Sequence, residues 1–151
     1  MSDQYRPYSG QRRRQASAML NLFVQLGAAF TAIWRLIFRP KRQPLDRVRL
    51  LAKMQNIEAS VTGDGAPAAQ AVLQADSFVD SVMRAVGGRG NSFADRLRSL
   101  EGQFDRGLYQ ALWDVHKLRN TIAHEHPNIT ASQAHQALAV FRRAASRLGA
   151  F

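Results

Sequence analysis

Ionisable residues concentrate between residues 113 and 126, a stretch whose pattern predicts a helix. Three of the chain's four histidines lie there, His116, His124 and His126, together with Arg119. An imidazole changes its protonation state near neutral pH, and a guanidinium is a permanently charged donor that suits phosphate and carboxylate oxygens. Proton transfer and anion binding are therefore the kinds of chemistry that this stretch could support.

Helical geometry places four of these polar residues on one broad face. At about 100° per residue, with Arg119 set at zero, His116 lies at about 60°, Asn120 at about 100° and His124 at about 140°. The spacing alone does not fit a zinc site, because His124 and His126 do not share a helical face and no third ligand is evident. We expect no metal and no cofactor.

Arg119 falls at the edge of the apolar stripe of the same helix, so we expect it to be partly buried. That stripe consists of apolar residues at three- and four-residue spacing: Leu108, Leu112, Val115, Leu118 and Ile122. A partly buried guanidinium needs a carboxylate, backbone carbonyls or a bound phosphate. Asp76 and Asp80 on the preceding long helix are candidate internal partners. A structural arginine–aspartate pair with surface histidines is one interpretation of the pattern, and a phosphate site is the other.

The segment from His116 to Glu125 resembles the signature of the HEPN (higher eukaryotes and prokaryotes nucleotide-binding) superfamily, an arginine followed by a polar residue and then a histidine. Here Asn120 is the polar residue, and four residues separate Arg119 from His124. Residues 71–80, the glycine-rich turn leading into residues 92–97, and the final helix also look like small bacterial members. The resemblance covers about residues 68–148 and leaves out the first 65 residues.

The resemblance implies an all-α bundle and, in nuclease members, a homodimer that cuts RNA without a metal in a cleft shared by both motifs. Carried over to this sequence, Arg119 would hold the scissile phosphate, and Asn120 would position the phosphate or orient the histidine. His124 would deprotonate the ribose 2′-hydroxyl or protonate the leaving oxygen. Three neighbouring side chains are candidate binding residues: His116, Lys117 and Asp76.

The overall charge favours anionic partners. The chain has 21 lysines and arginines against 11 aspartates and glutamates, a formal charge of +10, and ten of those basic residues lie in the first 50 positions. Such a bias suits RNA, DNA or an acidic membrane surface without choosing among them. The absence of cysteine excludes disulfides, thiolate zinc sites and cysteine nucleophiles, which fits a reducing cytoplasm.

The first 39 residues divide into a tail and a hydrophobic helix. Residues 1–15 are polar and basic and are predicted to be a disordered tail. Residues 16–39 predict a hydrophobic or amphipathic helix, a candidate membrane anchor that does not look like a secretory signal. It suits a poor membrane span, an in-plane membrane helix, or a helix packing against its own domain or a partner. If it spans, the following positive charges place the rest of the chain on the cytoplasmic face.

The remainder predicts a linker with an accessory helix over residues 40–65 and a HEPN-like bundle over residues 66–151. Helices are expected over 45–61, with Val48 on its apolar side, over 66–86, from Ser92 to about 100, over 106–125, and from Thr130 to about 148. The fold class is all-α, a four- to five-helix bundle with an extra amino-terminal hydrophobic helix. Tyr109 and Trp113, on the flank near the motif, are expected to serve packing or a dimer interface.

Three functions follow from these observations. The first is a metal-independent endoribonuclease acting as a dimer, and the second is a catalytically silent HEPN-like module that binds RNA, a nucleotide or a protein. The third is a self-association module tethered to the inner face of the cell membrane through residues 16–39. Residues for a nucleotidyltransferase antitoxin domain are not seen, so we expect a separate gene to supply any antitoxin-like partner.

Overall fold

The computed structural model describes residues 44–151, which form five α-helices and a short 3-10 turn, without any strand in that range. The elements are α1 (Arg47–Ala59), α2 (Ala66–Ala85), α3 (Phe93–Ser99), the 3-10 turn (Glu101–Gln103), α4 (Arg106–Glu125) and α5 (Ala131–Arg147). The predicted all-α class is confirmed for these residues. The predicted tail over 1–15 and the hydrophobic helix over 16–39 lie outside the described residues.

Side-chain caps explain where four of the helices begin. Asp46 caps α1 and Asp105 caps α4, each accepting a hydrogen bond from a backbone N–H in the first turn. Ser92 and Thr130 form capping boxes at α3 and α5, in which the cap and the third helical residue satisfy each other's backbone groups. The α2 helix starts differently, at Gly65, with proline in its first turn. These starts match the sequence predictions to within about two residues.

The core lies around α2, which packs against each of the other four helices. Small residues on α2 allow this close approach, since Ala68, Ala71 and Ala75 are all fully buried. Large buried side chains fill the space between the helices: Met54, Phe78, Met83, Leu97, Leu112, Leu138 and Phe141. The helix predicted as an accessory element therefore contributes to the common core. No helix within residues 44–151 has the length and hydropathy needed to cross a bilayer.

The prediction that Val48 lies on the apolar side of α1 is wrong, because this side chain is 81% exposed. Met54 and Ile57 are buried, and Leu50 and Val61 pack partly against the core. Steps of three and four residues connect Leu50, Met54 and Ile57, whereas Val48 falls about 120° away from Met54 around the helix. The buried stripe therefore runs through Leu50 and not through Val48.

We expect acid to weaken the bundle partly through its capping aspartates. The hydrogen bond from the Leu108 N–H holds the pKa of Asp105 below its ordinary value of 3.8, and bonds from Ser92, first its side chain, lower the pKa of Asp95. A depressed carboxyl pKa stabilises the fold above the unfolded value, and that contribution is lost as pH falls through the folded pKa, here below about pH 4.

Thermal unfolding at pH 6 and pH 3 checks this, with Asp105→Asn as the test variant, because asparagine still caps but does not titrate. The variant should lose less of its melting temperature on acidification than the parent chain. An equal loss in both proteins would show that Asp105 does not contribute to acid sensitivity.

Candidate functional site

Helices α2 and α4 bring together four of the polar residues that the sequence singled out. The two helices run in opposite directions, with Gly65 at the start of α2 hydrogen-bonded to Ile129 beyond the end of α4. Further along, Asp76 on α2 faces His116 and Arg119 on α4. Residues 40 or more positions apart in sequence thus form one cluster.

A buried carboxylate lies at the centre of this cluster. The Asp76 side chain is only 6% exposed, and its Oδ1 lies 2.8 Å from His116 Nδ1. Its Oδ2 lies 3.5 Å from Arg119 Nε, a buried nitrogen that has no hydrogen-bond partner among residues 44–151. The expected pairing of Arg119 with Asp76 is confirmed as an ion pair, longer than an ideal charge-assisted hydrogen bond.

Arg119 combines an anchored end with an accessible one. Its side chain is 33% exposed, although the Nε atom beside Asp76 is buried. Nη1 donates a hydrogen bond to Asn120 Oδ1 at 3.2 Å. The guanidinium is therefore restrained at Nε by the carboxylate of Asp76 and at Nη1 by the amide of Asn120, while part of it faces solvent.

His116 is held on two sides. Its ring stacks on the ring of Phe93 with the centroids 4.2 Å apart and the planes 6° from parallel. Its Nδ1 lies within hydrogen-bond distance of Asp76 Oδ1, and the tautomer of the ring decides which of the two donates. His116 therefore orients Asp76, and Asp76 in turn faces Arg119. Sequence reasoning did not identify Phe93, since a residue in the first turn of a short helix gives no signal of its partner.

The other predicted site residues are not part of this cluster. His124 is exposed, lies about 7.5 Å further along the α4 axis than Arg119, and makes no hydrogen bond or ion pair with residues 44–151. Lys117 is also exposed and pairs with Asp114 at 3.4 Å. The structure thus brings together Asp76, His116, Arg119 and Asn120, and leaves Lys117 and His124 on the surface.

Asp80 is not a partner of Arg119, so this alternative was wrong. Its carboxylate instead receives two hydrogen bonds from the buried Arg96, at 2.7 and 2.8 Å, and one from Arg84. Asp80 lies one helical turn beyond Asp76, where α3 rather than α4 packs against α2. The neighbouring helix therefore decides which arginine each aspartate meets.

The aromatic residues on the flank of α4 are packed against the core. Tyr109 and Trp113 are partly buried and meet edge to face, with ring centroids 6.2 Å apart. The guanidinium of Arg98 lies 5.1 Å from the Trp113 ring centroid, within cation–π range. These contacts agree with packing, one of the two expected roles, and the other, a dimer interface, stays a prediction.

Neither a candidate metal site in the described residues nor a match to a known protein indicates the chemistry of this cluster. In the part of the chain that the structure describes, no three histidine, aspartate or glutamate side chains are placed to hold a metal ion. Comparisons with protein-family models, with curated proteins and with solved structures find no match. A functional proposal for this chain therefore depends on the arrangement of Asp76, His116 and Arg119 and on the sequence motif.

Removing the central carboxylate should destabilise the fold. We expect Asp76→Ala to cost about 1–3 kcal/mol of unfolding free energy, because His116 loses its hydrogen-bond partner and Arg119 loses its ion-pair partner. Urea unfolding monitored by circular dichroism measures the difference. Asp114→Ala is the matched control, since within residues 44–151 its exposed carboxylate pairs only with the exposed Lys117, and a change within about 0.5 kcal/mol is expected. Equal losses in the two variants would contradict the role given to Asp76.

Proposed function

We propose that this chain is a HEPN-like, RNA-directed protein, a metal-independent endoribonuclease that acts as a homodimer through Arg119, Asn120 and His124. One observation carries the proposal. The buried Asp76 lies 3.5 Å from the inner nitrogen of Arg119, which leaves a partly exposed guanidinium on the same helix as the exposed His124. The arrangement is suited to an anionic group that approaches from solvent.

An anchored arginine is a better phosphate ligand than a free one. An unrestrained arginine loses about 2 kcal/mol of rotamer entropy when it is immobilised. Here Asp76 and Asn120 already restrain the guanidinium, so less freedom remains to be lost on binding. The remaining N–H groups form a planar donor set that matches two phosphate oxygens. A permanently charged donor also stabilises the charge that develops on those oxygens during cleavage.

His124 supplies the proton transfers in this proposal. The ribose 2′-oxygen forms a bond to the adjacent phosphorus and gives its proton to a base, while the bond from phosphorus to the 5′-oxygen breaks and that oxygen takes a proton. The products are a 2′,3′-cyclic phosphate and a 5′-hydroxyl, with no oxidant, metal or cofactor consumed. A histidine suits either proton transfer near neutral pH.

The positions of these side chains on α4 favour a shared site. Arg119 and His124 are separated by about 140° around the helix, so one copy does not readily direct both at the same phosphate. Two copies with their α4 faces opposed would place an arginine and a histidine on either side of one RNA strand. The formal charge of +10 is compatible with RNA as the ligand, because phosphate contacts dominate nucleic-acid affinity, but it does not distinguish RNA from other anionic partners.

A catalytically silent HEPN-like binding and self-association module is the second candidate. The observation that favours it is the separation of His124 from the Asp76 cluster, since His116 and Arg119 both contact Asp76 while His124 does not. In this form the anchored arginine binds RNA or a nucleotide but does not cleave it. Residues 16–39 then tether the module to the inner face of the cell membrane, with the described residues in the cytoplasm.

Incubation of the full-length chain with a mixed RNA substrate in EDTA tests the first candidate against the second. The nuclease proposal predicts fragments with 2′,3′-cyclic phosphate and 5′-hydroxyl ends. Fragments with 5′-phosphate ends would contradict the mechanism. RNA that is retained in a gel-shift assay but stays intact would support the silent module, and RNA that is neither bound nor cut would contradict both.

A further inference from the structure

A cleft lies next to the Asp76 cluster, between the same two helices. The amino-terminal half of α2 and the carboxyl-terminal end of α4 line this open cleft of about 610 Å³. Its walls combine apolar and polar groups, with Leu73, Ile122 and Pro127 among the first and Gln70, His126 and Asn128 among the second. Small-molecule sites have this size and this mixture of apolar walls and few polar groups.

Small side chains keep the cleft open. Ala69 lines it from α2 and Ala123 lines it from α4, so neither helix fills the space between them. His126 ends α4 with a left-handed backbone, φ 50°, a conformation that is uncommon for residues with a Cβ. This backbone turns the chain into Pro127 and keeps an imidazole at the edge of the cleft.

The cleft begins where the Arg119 site ends. Ile122 and Ala123 follow Arg119 by three and four residues, which places them one helical turn, about 5.4 Å, further along α4. On the opposite wall, Leu73 precedes Asp76 by three residues on α2. A ligand that places an anionic group on Arg119 therefore extends naturally into the cleft with its next portion.

We infer that this cleft is a nucleobase subsite, and the inference rests on the proposed function because it takes Arg119 as the phosphate ligand. A nucleobase is flat and apolar on its faces, which suits the partly exposed Leu73 and Pro127, and it carries donors and acceptors at its edge. The amides of Gln70 and Asn128 offer both donors and acceptors for that edge. The charge of Arg119 favours a phosphorylated ligand over a neutral one. The ligand class is a nucleotide within RNA or a free nucleoside monophosphate.

Calorimetry on the full-length chain can isolate the contribution of the base. Adenosine and uridine 5′-monophosphates are compared with ribose 5-phosphate, which has the sugar and the phosphate but no base. At least one of the two nucleotides should bind about tenfold or more tightly than ribose 5-phosphate. Ala69→Leu should remove most of that difference without weakening ribose 5-phosphate, because the added side chain fills the cleft but leaves Arg119 unchanged.

Two further variants keep the test decisive. Ala139→Leu makes the same change at an exposed position on α5 and should retain the full preference. Gln70→Ala removes a polar group from an exposed α2 position that lines the cleft, and should lower nucleotide affinity by about threefold to tenfold even if Ala69→Leu does not fold.

The outcomes separate this inference from the nuclease proposal. Equal binding of nucleotides and ribose 5-phosphate, or an undiminished preference in both cleft variants, would overturn the base subsite while leaving RNA cleavage to its own assay. Absence of binding by all three ligands would also overturn it. A preference for nucleotides in a chain that does not cut RNA would support the subsite and contradict only the nuclease.

Discussion

Replacing either Arg119 or His124 with alanine is expected to lower metal-independent RNA cleavage by about 10²- to 10⁴-fold. Arg119→Ala removes the group proposed to hold the scissile phosphate, and His124→Ala removes the proposed proton donor or acceptor. The loss should appear in the initial rate of cleavage of one RNA substrate in EDTA, measured with each full-length variant. His124 is exposed and unpaired within residues 44–151, so its removal should leave stability almost unchanged.

Matched substitutions elsewhere show whether the effect is specific. His135→Ala changes an exposed histidine on α5, and Arg106→Ala changes an exposed arginine at the opposite end of α4 from the motif. Both controls should cleave within about threefold of the parent chain, a difference of less than 1 kcal/mol in the barrier. If Arg119→Ala or His124→Ala retains the parent rate while folded, the residue concerned has no part in catalysis.

The largest effect on stability is expected at Arg96. We predict that Arg96→Ala costs about 3–5 kcal/mol of unfolding free energy, because it leaves the Asp80 carboxylate without its main buried partner. The Arg96 side chain is only 7% exposed and donates to both oxygens of Asp80. Its Nη1 also donates to the Gly90 carbonyl at 2.7 Å. The Arg96 guanidinium thus links α3 and the turn before it to α2.

Arg84→Ala is the internal control for this prediction. Arg84 contacts the same carboxylate at 3.2 Å, but its side chain is 68% exposed, and a change of less than about 1 kcal/mol is expected. Chemical denaturation of the full-length variants measures both changes. Losses of similar size for Arg84→Ala and Arg96→Ala would show that burial does not set the strength of the Asp80 pairs.

The sequence predicted those elements whose signals are local. The predicted helix starts at Ser92 and Thr130 are correct, and each depends on a capping box between residues three positions apart. Long stretches of three- and four-residue spacing likewise predicted α2 and α4 to within about a residue. The failure at Val48 came from a stripe near the start of α1 in which several residues were apolar, so the spacing did not define one face.

Contacts between helices were harder to predict, because they depend on how far one helix is shifted along another. Asp76 and Asp80 lie four residues apart on the same face of α2, and the sequence pattern did not distinguish between them as the partner of Arg119. Their choice follows from the packing of α3 and α4 on α2. Arg96 gave no signal either, since α3 has seven residues and its periodicity is too short to identify a buried position.

The most direct measurement uses a DNA strand that contains one ribonucleotide, incubated with the full-length chain in EDTA. The account predicts a single cut on the 3′ side of that ribose, which leaves a 2′,3′-cyclic phosphate, and no cut when the 2′-hydroxyl is methylated. The account would be contradicted if the chain bound this strand tightly and left it intact, or if cleavage continued after methylation of the 2′-hydroxyl.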